Sequence, residues 1–317
     1  MSGPAAPRPP ALLLPLAHER LRRGAKRLCR PWWIARLRRR NLHDHEPLTD
    51  PRGNGPVVSL TSHAARIEEV FLAVESIGRG RLKPSRLTLW LAADLVATRL
   101  PAPLQRQQGR GLEVLPCADV GPHTKYFPLV MSPGGCERPL VTADDDQLYP
   151  RYWLARLHRA HKSEPGLVHC FRAHRIGFGP DGRLRPYREW TSCRGTVPSA
   201  LNFATGVSGV SLPVAMLRAL RDRGAAFLQC CPRADDVWLH AVALREGIAV
   251  RQLGVLPRAF YEIPGTRPQG LSRANVGGGE NDRQIAQTYT ADDRDRLRAL
   301  VERPTRACPS SPTDGRL

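Results

Sequence analysis

Two groups of carboxylates are the residues in this chain best suited to do chemistry. Asp144, Asp145 and Asp146 follow the apolar run Pro139-Leu140-Val141-Thr142-Ala143 and precede Gln147-Leu148-Tyr149-Pro150. Three adjacent like charges repel, so aiming two of them at one point is tolerable mainly where a cation occupies that point. Carboxylate oxygens are hard donors, and the cations they suit are Mg²⁺ and Mn²⁺. The competing explanation is a solvated acidic turn in which one Asp caps the next helix. The second group is Asp235-Asp236, in Ala234-Asp235-Asp236-Val237-Trp238-Leu239. Acids in the first turn of a helix are favoured by its dipole, and a carboxylate there can also act as a general base toward a hydroxyl. Lys125, in Gly121-Pro122-His123-Thr124-Lys125-Tyr126, is one of only four lysines. It either meets an anionic ligand or is a loop cation on the surface. His63 and His123 read as structural or solvent-facing.

The elements around these residues indicate an open α/β sheet. Val57-Val58-Ser59-Leu60-Thr61 reads as a strand, and Ile67, Val70, Phe71, Val74 and Ile77 place one apolar stripe on a following helix. Strands are expected at Leu87 to Leu91, which stops before Asp94, at Leu112 to Leu115, and in the run ending at Ala143. A helix follows Pro150, with Tyr152, Trp153, Leu154 and Leu157 as its apolar residues. Strand and helix in alternation imply a mostly parallel sheet with helices on its faces. The acidic triplet then lies at a strand's carboxyl end, where such sheets place their ligand crevice. Further on, a strand is expected at 167–171, helices at 214–222 and 235–245, and a strand at 248–253. The stretch 202–212 is rich in Gly, Ser and Thr, 257–290 reads as irregular, and a last helix spans about 291–303.

Length and charge bound the rest. A chain of 317 residues can bury a substantial core. The net charge of +19 comes almost entirely from arginine spread along the chain, so charge alone gives no support for nucleic-acid binding. The eight cysteines form no C-x-x-C pair, which argues against a thiolate zinc site and gives no sign of a disulfide framework. No run approaches the roughly 18 apolar residues of a membrane span. Residues 1–55 hold twelve basic against four acidic residues, with Trp32 and Trp33 among them. They are expected to form a flexible basic arm, either disordered or an amphipathic helix on an anionic membrane surface, interrupted at Pro31. The folded domain is expected over 56–303, and 304–317 as a disordered tail.

The order of motifs resembles a glycosyltransferase of the GT-A fold, similar to family 2, over about residues 56–256. The matching stretches are Val58-Ser59-Leu60-Thr61-Ser62-His63, Leu89-Trp90-Leu91 up to Asp94, Thr142-Ala143-Asp144-Asp145-Asp146, and Ala234 to Leu239. The resemblance implies transfer of a sugar from a nucleotide-diphosphate donor, with a divalent metal held by a D-x-D-type motif. The cysteines suit a reducing compartment, so a cytoplasmic location is expected. It places Asp144 toward the ribose or the metal, Asp146 or Asp145 on the metal, and Thr61 and Asp94 at the nucleoside. Ala92-Ala93 stand before Asp94 where the family often has another acid. Asp236 would match the base of an inverting transfer, with Asp235 beside it. On the residues themselves, Trp238 would stack on a sugar or fill core, Lys125 would meet a diphosphate oxygen or be a surface cation, and Thr205-Gly206-Val207-Ser208-Gly209 would shape the acceptor side or form a plain turn. Asn281-Asp282 would close over the donor. The acceptor, whether glycan, lipid-linked or small molecule, is open. The rival readings are a non-catalytic nucleotide- or glycan-binding protein on the same fold and a basic nucleic-acid-binding protein.

Overall fold

The computed structural model describes residues 30–265 and 279–302. It opens with helix α1 over 30–43, then β1 (Val57–Thr61), α2 (Val70–Gly78), β2 (Arg86–Ala92), α3 (Ala93–Ala97), α4 (Ala102–Gln108) and β3 (Leu112–Cys117). A 3₁₀ turn at Gly121–Lys125 leads to α5 (Phe127–Met131), β4 (Leu140–Ala143), β5 (Gln147–Leu148), α6 (Trp153–Ser163), β6 (Val168–Cys170) and β7 (Ala173–Arg175). Then come β8 (Thr191–Ser192), β9 (Asn202–Ala204), β10 (Val210–Leu212), α7 (Val214–Arg223), α8 (Phe227–Cys230), α9 (Asp235–Arg245), β11 (Val250–Gln252) and β12 (Tyr261–Glu262). Helices α10 (Glu280–Thr288) and α11 (Ala291–Glu302) complete the described chain.

The expected open, mostly parallel sheet is present. Seven strands lie in the order β11-β6-β10-β4-β1-β2-β3. Strands β4, β1, β2 and β3 run parallel in succession, as do β11 and β6. Only β10 is antiparallel, inserted between β4 and β6. Successive residues of a strand point to opposite faces, so Leu140 joins the core under α5, α7 and α9 while Val141 joins the core under α2, α4 and α6. Strands covered on both faces read as continuous apolar runs, which is why β1, β2 and β4 stand out in the sequence.

Three segments depart from expectation. Residues 30–55 do not stand apart as an arm: Leu37 and Leu48 are fully buried, and Asn41 donates to Glu75 Oε1 (3.1 Å) and to the Pro103 carbonyl (3.0 Å). The described helix starts at residue 30 with Pro31 in its first turn, and the folded body begins before residue 56. The remainder of the basic arm and the tail from 304 lie outside the described residues. The Gly, Ser and Thr-rich stretch supplies β9 and β10, and the part of 257–290 read as irregular contains β12 and α10. Strand β12 pairs with β5 just after the acidic triplet. No helix among the described residues is long and apolar enough to cross a membrane.

Candidate functional site

Because β1, β2 and β4 are parallel and adjacent, their carboxyl ends fall on one edge of the sheet. Thr61, Ser62, Asp94 and Asp144 to Asp146 are therefore neighbours of one edge by topology alone. Strand β10, being antiparallel, starts at that same edge, where Val210 pairs with Thr142. The turn Gly206–Ser208 thus reaches the acids from the other side.

Lys125 joins the two carboxylate groups. Its Nζ is 2.6 Å from Asp144 Oδ1 and 3.5 Å from Asp235 Oδ2. Burial opposes its charge, but Asp144 and Asp235 outweigh it and hold the ammonium well above the ordinary lysine value. Its placement depends on the 3₁₀ turn, which His123 fastens: Nε2 lies 2.7 Å from the Cys231 carbonyl and Nδ1 2.8 Å from the Tyr126 hydroxyl. The imidazole also stacks on Phe227 at 4.0 Å between centroids. Burial pushes its pKa down to about 4, so it is a neutral brace between the turn and the segment leading into α9.

The three consecutive acids have different surroundings. Asp145 is buried and used on both oxygens, accepting from Ser62 Oγ (2.7 Å) and from Arg66 Nη1 (2.7 Å). Asp146 Oδ2 lies 3.1 Å from the same guanidinium nitrogen, while Oδ1 accepts from Gln147 Nε2 (3.2 Å). Burial and the charges of Asp144 and Asp145 push Asp146 up to about 6 against the pull of Arg66. Asp144 is fixed through its backbone, whose N–H donates to the buried Tyr149 hydroxyl at 2.7 Å. The pairing of β12 with β5, continued by Ile263 N–H on the Asp146 carbonyl (2.8 Å), holds the far side of this loop.

At the other wall, Asp235 and Asp236 open α9. Asp236 Oδ1 accepts the Gly206 N–H at 2.9 Å. Burial, then the adjacent Asp235 charge, push its pKa up to about 8, against Lys125 and the Gly206 bond. A Cβ at Gly206 would crowd Asp236 Oδ1 at 3.2 Å and touch Lys125 Nζ at 3.6 Å. The Asp235-Asp236 pair is not capping its own helix through a side chain, since the cap position is Ala234 and no side-chain cap bond is present.

The remaining candidates fall in different places. Thr61 uses its hydroxyl on the Trp90 carbonyl (3.0 Å), tying β1 to β2 at the crevice edge. Asp94 is exposed in the first turn of α3, beyond the end of β2. Trp238 is only 4% exposed and packs in the core beside Phe227, with its indole N–H unpaired among the described residues. His63 is exposed. Asn281 is buried, and Asp282 accepts the Tyr187 N–H at 2.6 Å, so both brace α10 against the body. Arg66 and Tyr149 were not anticipated: one arginine among so many carries no signal, and Tyr149 reads as core.

What gathers at the edge is an all-oxygen set richer in acids than in cations. Asp144, Asp145, Asp146, Asp235 and Asp236 share Lys125 and Arg66. Among the described residues no cluster of three or more His, Cys, Asp or Glu is arranged to hold a metal ion by itself. An arrangement of this kind can take up a hard cation whose remaining ligands come from a bound anion and water.

No family model matches the sequence, and no curated protein matches it either. Among solved structures the chain is similar to a mannosyltransferase from Pyrobaculum calidifontis, in complex with GDP-Man and Mn²⁺, at TM-score 0.47 and 14% identity over 87% of this chain and 78% of that one. It is also similar to residues 1–349 of S. aureus TarS, at TM-score 0.43 and 11% identity over 77% and 69% of the two chains. A CMP:2-keto-3-deoxy-manno-octonic acid synthetase complexed with CTP follows at TM-score 0.40 and 8% identity, over 69% and 98%. Likeness this remote assigns no activity.

Proposed function

We propose that the chain is a GT-A-like glycosyltransferase that moves a sugar from a nucleotide-diphosphate donor to an acceptor hydroxyl, with inversion and with a divalent metal. The observation that carries this reading is the Lys125 ammonium standing between Asp144 and Asp235, which makes one crevice of two acidic motifs distant in the chain. The donor set suits Mg²⁺ or Mn²⁺: the ligands are carboxylates and they outnumber their cations. Asp144 and Asp146 would hold the ion, and Asp145, spent on Ser62 and Arg66, would instead fix the loop. When bound, the metal would act as a Lewis acid for the departing diphosphate.

The other roles follow from what each side chain already does. Lys125 would offer positive charge to the leaving group. Asp236, with no cation within salt-bridge reach among the described residues and oriented by the Gly206 N–H, would take the acceptor's proton; its pKa of about 8 lies close to working pH, where general bases are most effective. Asp235 is the partner tied to Lys125 and would tune it. Thr61 and Asp94 would flank the nucleoside at the ends of β1 and β2. Trp238 would support α9 from inside the core.

Calorimetry with Mn²⁺, with a nucleoside diphosphate, and with both together tests the donor site. The expected result is weak binding of either alone and tight binding of the pair, with Asp146→Ala losing the metal-dependent gain. Metal-independent nucleotide binding that Asp144→Ala and Asp146→Ala both leave intact would overturn the assignment.

A further inference from the structure

A second polar site lies outside the carboxylate crevice and has the opposite sign. Arg81, Tyr152, Ala155, Arg156, Arg159 and Arg258 line an open pocket of about 510 Å³. Arg81 follows α2, Arg156 and Arg159 lie one turn apart on α6, and Arg258 precedes β12, so three separate parts of the fold bring arginines to one space. Among the described residues none of the four has a carboxylate partner. Arg156 donates to the Leu253 carbonyl (3.0 Å) and covers the Phe171 ring, and Arg258 donates to the Tyr152 hydroxyl (3.3 Å).

Several arginines elsewhere find acids: Arg86 meets Glu113, Arg223 meets Glu246, Arg245 meets Asp293 and Arg251 meets Glu164. The positive character continues beside the pocket. Arg81 donates its backbone N–H to the Arg151 carbonyl, and Arg79 is pushed down to about 10 by burial and by the charges of Arg151, Arg36 and Arg40. Guanidiniums gathered without acids repel one another, and the ligand that relieves this repulsion while matching their forked donors is a phosphate group.

We propose that this pocket binds the phosphate of a phosphorylated ligand, either a soluble phosphate compound or a phospholipid headgroup. The pocket is large enough for more than the phosphate alone, and Tyr152 adds a hydroxyl beside it. It also touches the machinery of the crevice indirectly. The Arg258 carbonyl accepts from Ser208 Oγ at 2.6 Å, and Ser208 belongs to the same turn as Gly206, which orients Asp236. The site needs no sugar transfer to exist, and it stands or falls independently of that reading.

The test is calorimetry with inorganic pyrophosphate in metal-free buffer, where the carboxylate crevice has no cation to recruit it, together with cosedimentation on phosphatidylglycerol and on phosphatidylcholine vesicles. Binding of pyrophosphate that weakens about tenfold or more in Arg81→Ala and in Arg159→Ala supports a phosphate site for soluble ligands. Cosedimentation with phosphatidylglycerol alone that the same substitutions abolish supports it with a lipid headgroup as the source. Both arginines are exposed, so their loss leaves the fold intact; Arg156→Lys should retain part of the affinity that Arg156→Ala loses. Arg183→Ala, away from the pocket, should bind like the parent protein. Absence of binding to either probe, or binding that Arg81→Ala and Arg159→Ala leave unchanged, overturns the proposal.

Discussion

Glu75 and the acids of the crevice are both withdrawn from water, yet they are held in contrasting ways. Glu75, fully buried on α2, accepts through Oε1 from Arg110 (2.6 Å), Gln107 (3.0 Å) and Asn41 (3.1 Å), and Arg40 Nε stands 3.4 Å from Oε2. One acid there has two guanidiniums and two amides, and it locks α1, α2, α4 and the turn before β3 together. In the crevice five acids share one ammonium and one guanidinium, and two of them are pushed up to about 6 and about 8. A carboxylate whose charge is matched by two guanidiniums is there to hold the fold. Carboxylates short of cations, kept together by braces such as His123, Tyr149 and Arg66, are held ready for something that arrives.

The contrast predicts opposite responses to mutation. Glu75→Ala should cost about 3–5 kcal/mol of stability, because it strands Arg110 without its counter-ion, and should leave turnover per folded molecule unchanged. Equilibrium denaturation alongside an activity assay checks it, and a loss under about 1 kcal/mol would mean the cluster is not the structural lock described. Lys125→Ala should act the other way. Removing the bridging cation leaves Asp144 and Asp235 opposed, so donor affinity should fall at least about tenfold. At the same time Mn²⁺ should raise the melting temperature of the variant more than that of the parent protein, since the metal then supplies the missing charge. Equal metal-induced shifts in the two proteins would argue that the ion and the lysine do not serve the same acids.

How much of this was legible in the sequence depended on whether a residue's type was rare or its pattern simple. Strands β1, β2 and β4 showed because both faces are covered and the runs are apolar. Lys125 stood out among so few lysines, and its pairing with two acid groups gave that rarity a physical meaning. Arg66 carried no such mark. Strand β10 was hidden because its neighbourhood is rich in Gly, Ser and Thr, and the sharp turn at Gly206–Gly209 looks like an ordinary loop until β4 and β6 accept the strand between them. Helix α10 was hidden because it packs through polar side chains: Gln284 and Thr288 are buried, and Gln284 Oε1 accepts the Arg233 N–H at 2.9 Å. The packing of 30–55 was missed for a related reason, since two leucines and an asparagine do the docking within a strongly basic stretch.

A smaller effect comes from the buried histidines, of which His123 braces the crevice. His123, His169, His174 and His240 are each pushed down to about 4 by burial, so the folded state keeps them neutral while the unfolded chain takes up protons near pH 6.5. The stability they allow is present above pH 6.5 and is lost progressively as pH falls from 6.5 toward 4, then levels off. Denaturation midpoints across that range should fall with pH, and His174→Gln should flatten part of the slope; a flat profile between pH 6.5 and 4 would remove the buried-neutral description.

The central claim is that Asp236 accepts the acceptor's proton in a crevice it shares with the donor-binding acids. The most direct measurement is turnover against pH for the parent protein, Asp236→Asn and Asp235→Asn, with nucleotide affinity taken on the same preparations. Turnover of the parent protein should climb as pH rises through about 8, because the base must be ionised to work. Asp236→Asn should lose roughly 10²-fold or more of that turnover at pH 8 with its donor affinity nearly unchanged. Turnover and pH profile preserved in Asp236→Asn would contradict the account.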